Sequence, residues 1–530
     1  MSSSPEYLES GSGRPITPPS GPSGGGRRAA WIVGGSVIVL AGIGAGAWAA
    51  WSFFAGGPQP AEALPASTIA YASVDLDPSG AQKIEALRTL RKFPAFKDEI
   101  GLETDDDIRK WVFEEIQRES ACEELDYADD VEPWLGDRMA LAAVDTGEDV
   151  PSPVFVLQIT DAGKAEDGLA ALRDCGGGGD EGSFVIEGDW ALVGETQEIV
   201  DEIAEDAADA TLSDDDDYTR WTDAAGDDGI ATFYVAPEAG ELLAGGLGGL
   251  VPMDSLGGTT EGLEPLMPTE VTSALEDFQG MAATVRFDDG SLELEVAADP
   301  GKAQDALEDA DSGADVLATL PEDTAAAVGM GFAEGWFGDL ADQLAGQLGG
   351  MSSEELFDEM SAETGLDLPE DVETLMGDSA ALALGSDFDV DTFVNSDDGS
   401  DVPVGMKVRG DTDEIESVLD KLRPQMGGAE SIIDTDSDGD VIAIGPDADY
   451  RERLLEDGGL GDSDVFENVV READDAAAVV FVNFDAGDWL ASLAEEDPEI
   501  ADNLEPLEGL GLSAWLEDGA SHLVLRLTTG

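Results

Sequence analysis

The sharpest chemical pattern in the sequence is Asp434-Thr-Asp436-Ser-Asp438-Gly439-Asp440. Carboxylates at alternating positions, followed by a glycine for a sharp turn, form the first half of a calcium loop of the EF-hand type. The twelfth position, where a bidentate glutamate belongs, is Gly445, and apolar runs suited to strands flank the segment instead of helices. The expectation is an acidic hairpin turn, with a calcium site on Asp434, Asp436, Asp438 and Asp440 as its alternative. The acidic runs Asp105–Asp107 and Asp214–Asp217 each precede an expected helix, where carboxylates favour the positive end of the dipole. The single histidine, His522, has no GxSxG or similar nucleophile motif to work with, and it is expected on the surface of the last strand. The glycine-rich stretches at 176–179 and 245–249 lack the Lys-Ser/Thr of a phosphate loop. Carboxylate pairs that would suit a glycosidase carry no weight here, because carboxylates occur everywhere in the chain. No catalytic residue and no cofactor is therefore expected, calcium aside.

Two cysteines are present, Cys122 and Cys175, and no zinc spacing exists. In an oxidising compartment they can close a loop of about 50 residues, a bond contributing on the order of 4 kcal/mol in the chain-entropy account. Two separate buried thiols are the alternative.

The elements that would position these groups begin with a membrane anchor. Residues 29–55 are uncharged and span roughly 40 Å as a helix, against a hydrocarbon core of about 30 Å. Trp31 marks one end, and Trp48, Trp51, Phe53 and Phe54 mark the other. Arg27 and Arg28 precede the segment and no basic residue follows until Lys83, which places the N-terminus in the cytoplasm and the rest outside the plasma membrane. Gly42 and Gly46 give a GxxxG spacing of the sort that packs helices together. Residues 1–28 read as a disordered Ser/Pro/Gly-rich tail, and 56–63 as a linker.

The chain carries 118 acidic against 25 basic residues, a net charge of -93, with nearly all of it beyond the anchor. Such a field repels nucleic acid and suits solubility in strong salt, so nucleic acid is not a partner. At 42% hydrophobic residues the chain still has the means to build real cores.

Internal similarity organises the remainder. LPASTIAYASVDL at Leu64 resembles LPEDTAAAVGMGF at Leu320, and VEPWLGDRMALAAV at Val131 resembles VETLMGDSAALALG at Val372. AGELLA at Ala239 parallels AGDWLA at Ala486, and the ending at Leu275 parallels that at Leu504. The order is kept throughout, which points to a tandem duplication with copies at 64–300 and 320–530 and a linker at 301–319. Each copy reads as strand, helix, two strands, helix, hairpin, helix, strand and a final hairpin turning at Asp288-Asp289-Gly290 or Glu517-Asp518-Gly519. The fold class is α+β with mostly antiparallel sheet and packed helices. Alternation in Leu292, Leu294 and Val296, and in Leu523, Leu525 and Leu527, gives each final strand one apolar face.

The opening at Leu64, the KFPAF at Lys92 and the WLGDRMALA at Trp134, all after one N-terminal helix, resemble the DUF3352 family of bacterial, largely actinobacterial, envelope proteins. The resemblance implies a membrane-anchored extracytoplasmic protein of unknown function and brings no catalytic residues. The apolar segments 242–253 and 489–493 follow equivalent strands, and are expected either to pack the copies together or to form a greasy rim. The expected function is non-enzymatic binding of an envelope partner, peptide or lipid. An acidic structural or adhesive role with calcium, and a carboxylate-based hydrolase, are the alternatives.

Overall fold

The computed structural model describes residues 59–75, 86, 88–94, 107–119, 125–148, 150–175, 182–227, 229–240, 277–288, 290–301, 310–347, 352–389, 392, 396, 399–426, 430–487, 489 and 502–530. The tail at 1–28, the predicted anchor at 29–55, Cys122 and the segment 242–253 lie outside the described residues, as do all of 489–493 but Trp489. Among the described residues no helix is long and apolar enough to cross a membrane.

Among the described residues sixteen strands form one sheet. They are β1 (Thr68–Asp75), β2 (Leu135–Val144), β3 (Ser152–Ile159), β4 (Ser183–Glu187), β5 (Trp190–Gly194), β6 (Ala231–Val235), β7 (Met281–Asp288) and β8 (Ser291–Ala298). The second half repeats the series with β9 (Thr324–Gly331), β10 (Ser379–Gly385), β11 (Val404–Arg409), β12 (Thr435–Asp438), β13 (Val441–Ile444), β14 (Ala478–Asn483), β15 (Leu507–Glu517) and β16 (Ala520–Thr529). Their order is β12-β13-β11-β10-β9-β14-β15-β16-β8-β7-β6-β1-β2-β3-β5-β4. Read inward from either end, both halves give the same sequence of strands and meet at β8 and β16. Every pairing between these strands is antiparallel.

The α+β reading is correct, and the strands of both halves belong to one sheet. A final hairpin strand left unpaired is an open edge, and pairing β8 with β16 removes two such edges at once. The register shows the symmetry: Glu293 faces Arg526, Ala297 faces His522, and Glu295 faces Val524 between them. Because residues 293 and 522, and 297 and 526, occupy equivalent places in the two hairpins, the pair Glu295/Val524 sits on the pseudo-twofold axis.

Helices cover one face of the sheet in both halves. In the first half they are α3 (Gln197–Asp209) and α4 (Asp216–Ala224), which bury Val200, Ile203 and Trp221. In the second they are α5 (Gly313–Leu317), α10 (Ala448–Leu455) and α11 (Asp464–Val469). Caps fix their starts as the acidic runs predict: the Asp215 carboxylate accepts from the Asp217 and Tyr218 amides, and Asp447 does the same at α10. On the other face, α1 (Ile108–Glu119) and α2 (Ala162–Cys175) serve the first half. There α6 (Trp336–Gln347), α7 (Ser353–Thr364), α8 (Glu370–Met376) and α9 (Thr412–Leu422) serve the second. Ile108 packs with Val74 and Phe287, and Ile415 with Val408 and Ile442. Between these two helical groups Ala86 and Leu90 pack on Leu292 and Leu527, and among the described residues no helix covers the rest of the second face.

The hairpin linking β15 to β16 turns through Asp518 and Gly519, both at positive φ (49° and 79°), the geometry a two-residue turn needs to match strand twist.

Candidate functional site

On the helix-covered face the seam carries charge rather than leucine. Arg286 of β7 lies 2.6 Å from Glu293 of β8 and also binds Glu295. Arg526 of β16 lies 3.3 Å from Glu293, while Arg471 reaches the same carboxylate at 3.2 Å and Asp288 at 2.5 Å. His522, stacked on Trp515 with ring centroids 5.1 Å apart, places Nδ1 3.7 Å from Glu295. Burial alone would raise the Glu295 pKa, but the neighbouring His522 ring and the Arg286 guanidinium bound to Glu295 outweigh burial and hold the carboxyl below its usual range. Three arginines and three carboxylates thus balance across the pseudo-axis, in a chain that holds few basic residues. The expectation of a surface histidine is wrong. His522 is buried, because the face opposite Leu523 and Leu525 is the one that the helices cover.

One cross-strand row on this face compares the halves directly. From the first half outward it reads Ser73, Thr232, Thr284 and Glu295, then across the axis Val524, Ser513, Val479 and Gly329. In the row beside it, Asp75 pairs with Arg138, both buried, at 2.8 Å; the second half has Gly331 opposite Ser379. In the second half α5 lies directly on the glycines. A Cβ on Gly331 would meet the Asp311 carbonyl at 1.5 Å, and one on Gly329 would meet the Gly313 carbonyl at 2.4 Å.

In the first half the equivalent place is a cavity of about 200 Å³. Ser73, Asp75, Thr232 and Thr284 form its floor, Tyr218 and Thr222 of α4 one wall, and Gln59, Ala61 and Glu62 another. Tyr218 is held edge-on between Tyr71 and Tyr234, at 5.8 and 5.1 Å. Burial pushes the Tyr71 hydroxyl well above its ordinary pKa, with the nearby Tyr218 adding to the shift. Gly226, at φ +82°, closes the end next to the seam. A Cβ there would meet Glu295 Oε2 at 2.5 Å and Arg286 at 2.7 Å. Both lining carboxylates are engaged: Asp75 by Arg138, and Glu62 by the Gln59 backbone amide at 3.0 Å.

The other candidates do not converge. Asp436 and Asp438 lie on the short edge strand β12, Gly439 and Asp440 make its turn, and Asp434 precedes it. Asp436 is ion-paired with Arg451 at 2.8 Å. Among the described residues no group of three or more His, Cys, Asp or Glu could hold a metal ion. An edge strand bristling with charge instead blocks pairing with a second sheet. Cys175 ends α2 and is disulfide-bonded. Asp107 is gripped by Arg109 at 2.9 Å and Tyr127 at 2.7 Å, which outweighs its burial and lowers its pKa.

Lys407 was not singled out by sequence. It replaces the valine of the equivalent strand, β3, and donates to the Thr319 and Glu456 carbonyls, each at 3.1 Å, with no carboxylate among those partners. Burial lowers its pKa from 10.5 to about 8, Asp457 opposing and Arg409 assisting. Between these values the unfolded chain keeps a proton that the folded chain has shed, so stability rises with pH there and is penalised below pH 8. Urea midpoints should climb from pH 7.5 to 9.0, by up to about 1.4 kcal/mol per pH unit. Above that, Tyr71, Tyr127, Tyr234 and Tyr450, whose hydroxyls burial holds protonated in the fold, oppose the rise as the unfolded chain begins to ionise. Lys407→Met should flatten this slope; an unchanged slope would mean another group titrates.

The opposite face at the seam is apolar and, among the described residues, partly uncovered. Leu382, Val328, Val480, Leu512, Leu525 and Leu294 form one continuous row over six strands, roughly 25 Å at about 4.8 Å per strand. Met330, Ala478, Ala514, Leu523 and Val296 form the next. Leu382 is 53% exposed, Met330 44%, Val328 41% and Leu523 37%.

A family model described as a protein of unknown function (DUF3352) matches residues 32–183 and 176–399. The chain belongs to the DUF3352 family. Neither the curated proteins nor the solved structures contain a match. The two DUF3352 matches overlap at residues 176–183 and do not coincide with the two topological halves, so the family match does not mark the pseudo-axis that strand order and register show.

Proposed function

We propose that this DUF3352 protein is a membrane-anchored extracytoplasmic binding protein, a tandem duplicate without catalytic chemistry, that holds the acyl part of an envelope lipid on its open sheet face. The carrying observation is the pair of apolar rows from Leu382 to Leu294, which cross the seam and are flanked by helices in each half. An uncovered apolar surface of this extent marks a binding face. Two further points select a lipid. The predicted anchor at 29–55 ends four residues before Gln59, a reach of about 14 Å, so the sheet is tethered beside the bilayer. A net charge of -93 sets two copies against one another and disfavours acidic partners, whereas an acyl chain carries no charge.

The test uses the full chain in nanodiscs containing phosphatidylcholine with a photoactivatable diazirine in one acyl chain. Label is expected on peptides from β9, β14, β15 and β16, and should be cut at least about fivefold by Leu382→Glu with Leu523→Glu. Label confined to residues 29–55 would remove the proposal.

A further inference from the structure

The apolar rows can hold lipid only if they meet the bilayer, and a net charge of -93 opposes approach to an anionic surface. We infer that the basic side of residues 88–92 docks on anionic lipid headgroups and so turns the apolar rows toward the membrane. The inference rests on the lipid-binding reading and adds the headgroup chemistry. Between Asp77 and Asp98 the chain holds Lys83, Arg88, Arg91, Lys92 and Lys97 against Glu85 alone. Five of the 25 basic residues thus fall in one short run, in a chain with 118 acidic ones. Cations elsewhere are commonly matched by carboxylates: Arg138 by Asp75, Arg409 by Asp315, Lys421 by Asp371 and Arg451 by Asp436. Two cations of the run are not. Arg88 is exposed and meets no carboxylate among the described residues. Lys92 donates to the Thr529 carbonyl and hydroxyl oxygens, both uncharged, at 2.7 and 2.9 Å.

Packing fixes where these cations stand. Ala86 and Leu90, one helical turn apart, are buried in a cluster with Leu292, and Leu527 packs against it. Arg88, two residues on from Ala86, therefore points away from the sheet. Leu292 and Leu527 lie two residues along their strands from Leu294 and Leu525 of the apolar row, a step of about 7 Å. The basic side thus stands roughly 10 Å, one helix diameter, above the sheet and beside that row. A membrane surface facing the row would meet it there. Range decides the competition with the charge of the whole chain. At physiological salt the Debye length is about 8 Å, so carboxylates across the sheet are screened from a headgroup touching this segment. Each basic residue close to the surface favours anionic lipid about fivefold. Attraction here and repulsion from the acidic remainder select one orientation.

The full chain is placed in nanodiscs of phosphatidylcholine, alone or mixed with phosphatidylglycerol, each with a trace of phosphatidylcholine bearing a diazirine in one acyl chain. Label on peptides from β9, β14, β15 and β16 should rise on the order of tenfold when phosphatidylglycerol is present. Arg88→Gln, at an exposed position, should cut that rise about fivefold with Tm unchanged, and Arg88→Lys should retain it. Equal sheet label in the two kinds of disc would overturn this inference and leave the acyl-binding reading standing. A rise that Arg88→Gln does not reduce would overturn it too, because the attraction would then come from other residues. Sheet label absent from both discs would remove the reading and this inference together.

Discussion

Glu293→Gln should lower the unfolding free energy of the chain by about 3–5 kcal/mol, the usual consequence of stripping one charge from a buried ion network. Glu293 is 2% exposed and lies against Arg286, Arg471 and Arg526. Its removal leaves three guanidinium groups sharing Asp288 and Glu295. The amide keeps the shape of the side chain, so lost packing does not account for the effect. Urea unfolding of the full chain measures it, with Glu517→Gln at the exposed β15–β16 turn as the control expected to change little. The location of the loss is also specified. Amides of β8 and β16 should gain hydrogen exchange before those of β2 or β10, because Glu293 joins the two halves across a single strand pair. A loss below about 1 kcal/mol, or exchange rising evenly across the sheet, would show that the seam is held by backbone pairing and the leucines alone.

That expectation runs against what the strands suggest in sequence. Leu523, Leu525 and Leu527 alternate with His522, Val524 and Arg526, and period-two alternation correctly gives two distinct faces. It does not say which face is covered. The usual assignment puts leucine inside and charge outside, and here Leu523 is exposed while His522 and Arg526 are buried. Once β8 pairs with β16, the helices α4 and α11 lie over the charged side of the joined hairpins, and ion pairing across the axis makes that burial tolerable. A clue was present in the scarcity of basic residues: with 25 in 530, two arginines on strands β7 and β16 are poor candidates for solvated decoration.

Local signals were far more legible. The strand at Thr68, the helices at Ala162 and Thr412 and the turns at Gly290 and Gly519 stand where periodicity and turn chemistry place them. The ordered internal similarities around Leu64 and Leu320 anticipate the matched strand orders. The cavity was not legible, because its floor is a cross-strand row. Ser73, Thr232, Thr284 and Glu295 are far apart in the chain and become neighbours only through register. A single serine or threonine in a strand carries no signal of its own. The informative quantity is the difference between halves at equivalent places, and reading it requires the register first.

The same difference yields the second large expected effect. Gly331→Ala should cost roughly 3 kcal/mol, whereas alanine for glycine in a strand ordinarily stabilises or is neutral. The new methyl would lie 1.5 Å from the Asp311 carbonyl and 2.3 Å from its carbon, both of them backbone atoms, so the chain leading into α5 must move as a unit. That chain is well fixed. The Gly313 amide donates to the Ala476 carbonyl at 2.9 Å, and the Ser312 hydroxyl donates to the Ala473 carbonyl at 2.9 Å while capping Ala314. Displacing it also uncovers Val316 and Leu317, both buried in the second-half core. Thermal unfolding of Gly331→Ala beside Gly338→Ala, where nothing lies near the added methyl, separates the clash from any general effect of losing a glycine. If the two variants melt alike, α5 does not fill the second half's counterpart of the cavity as tightly as its carbonyl positions require. If Gly331→Ala alone is destabilised, the second half excludes at those places the serine and aspartate that β1 carries in the first.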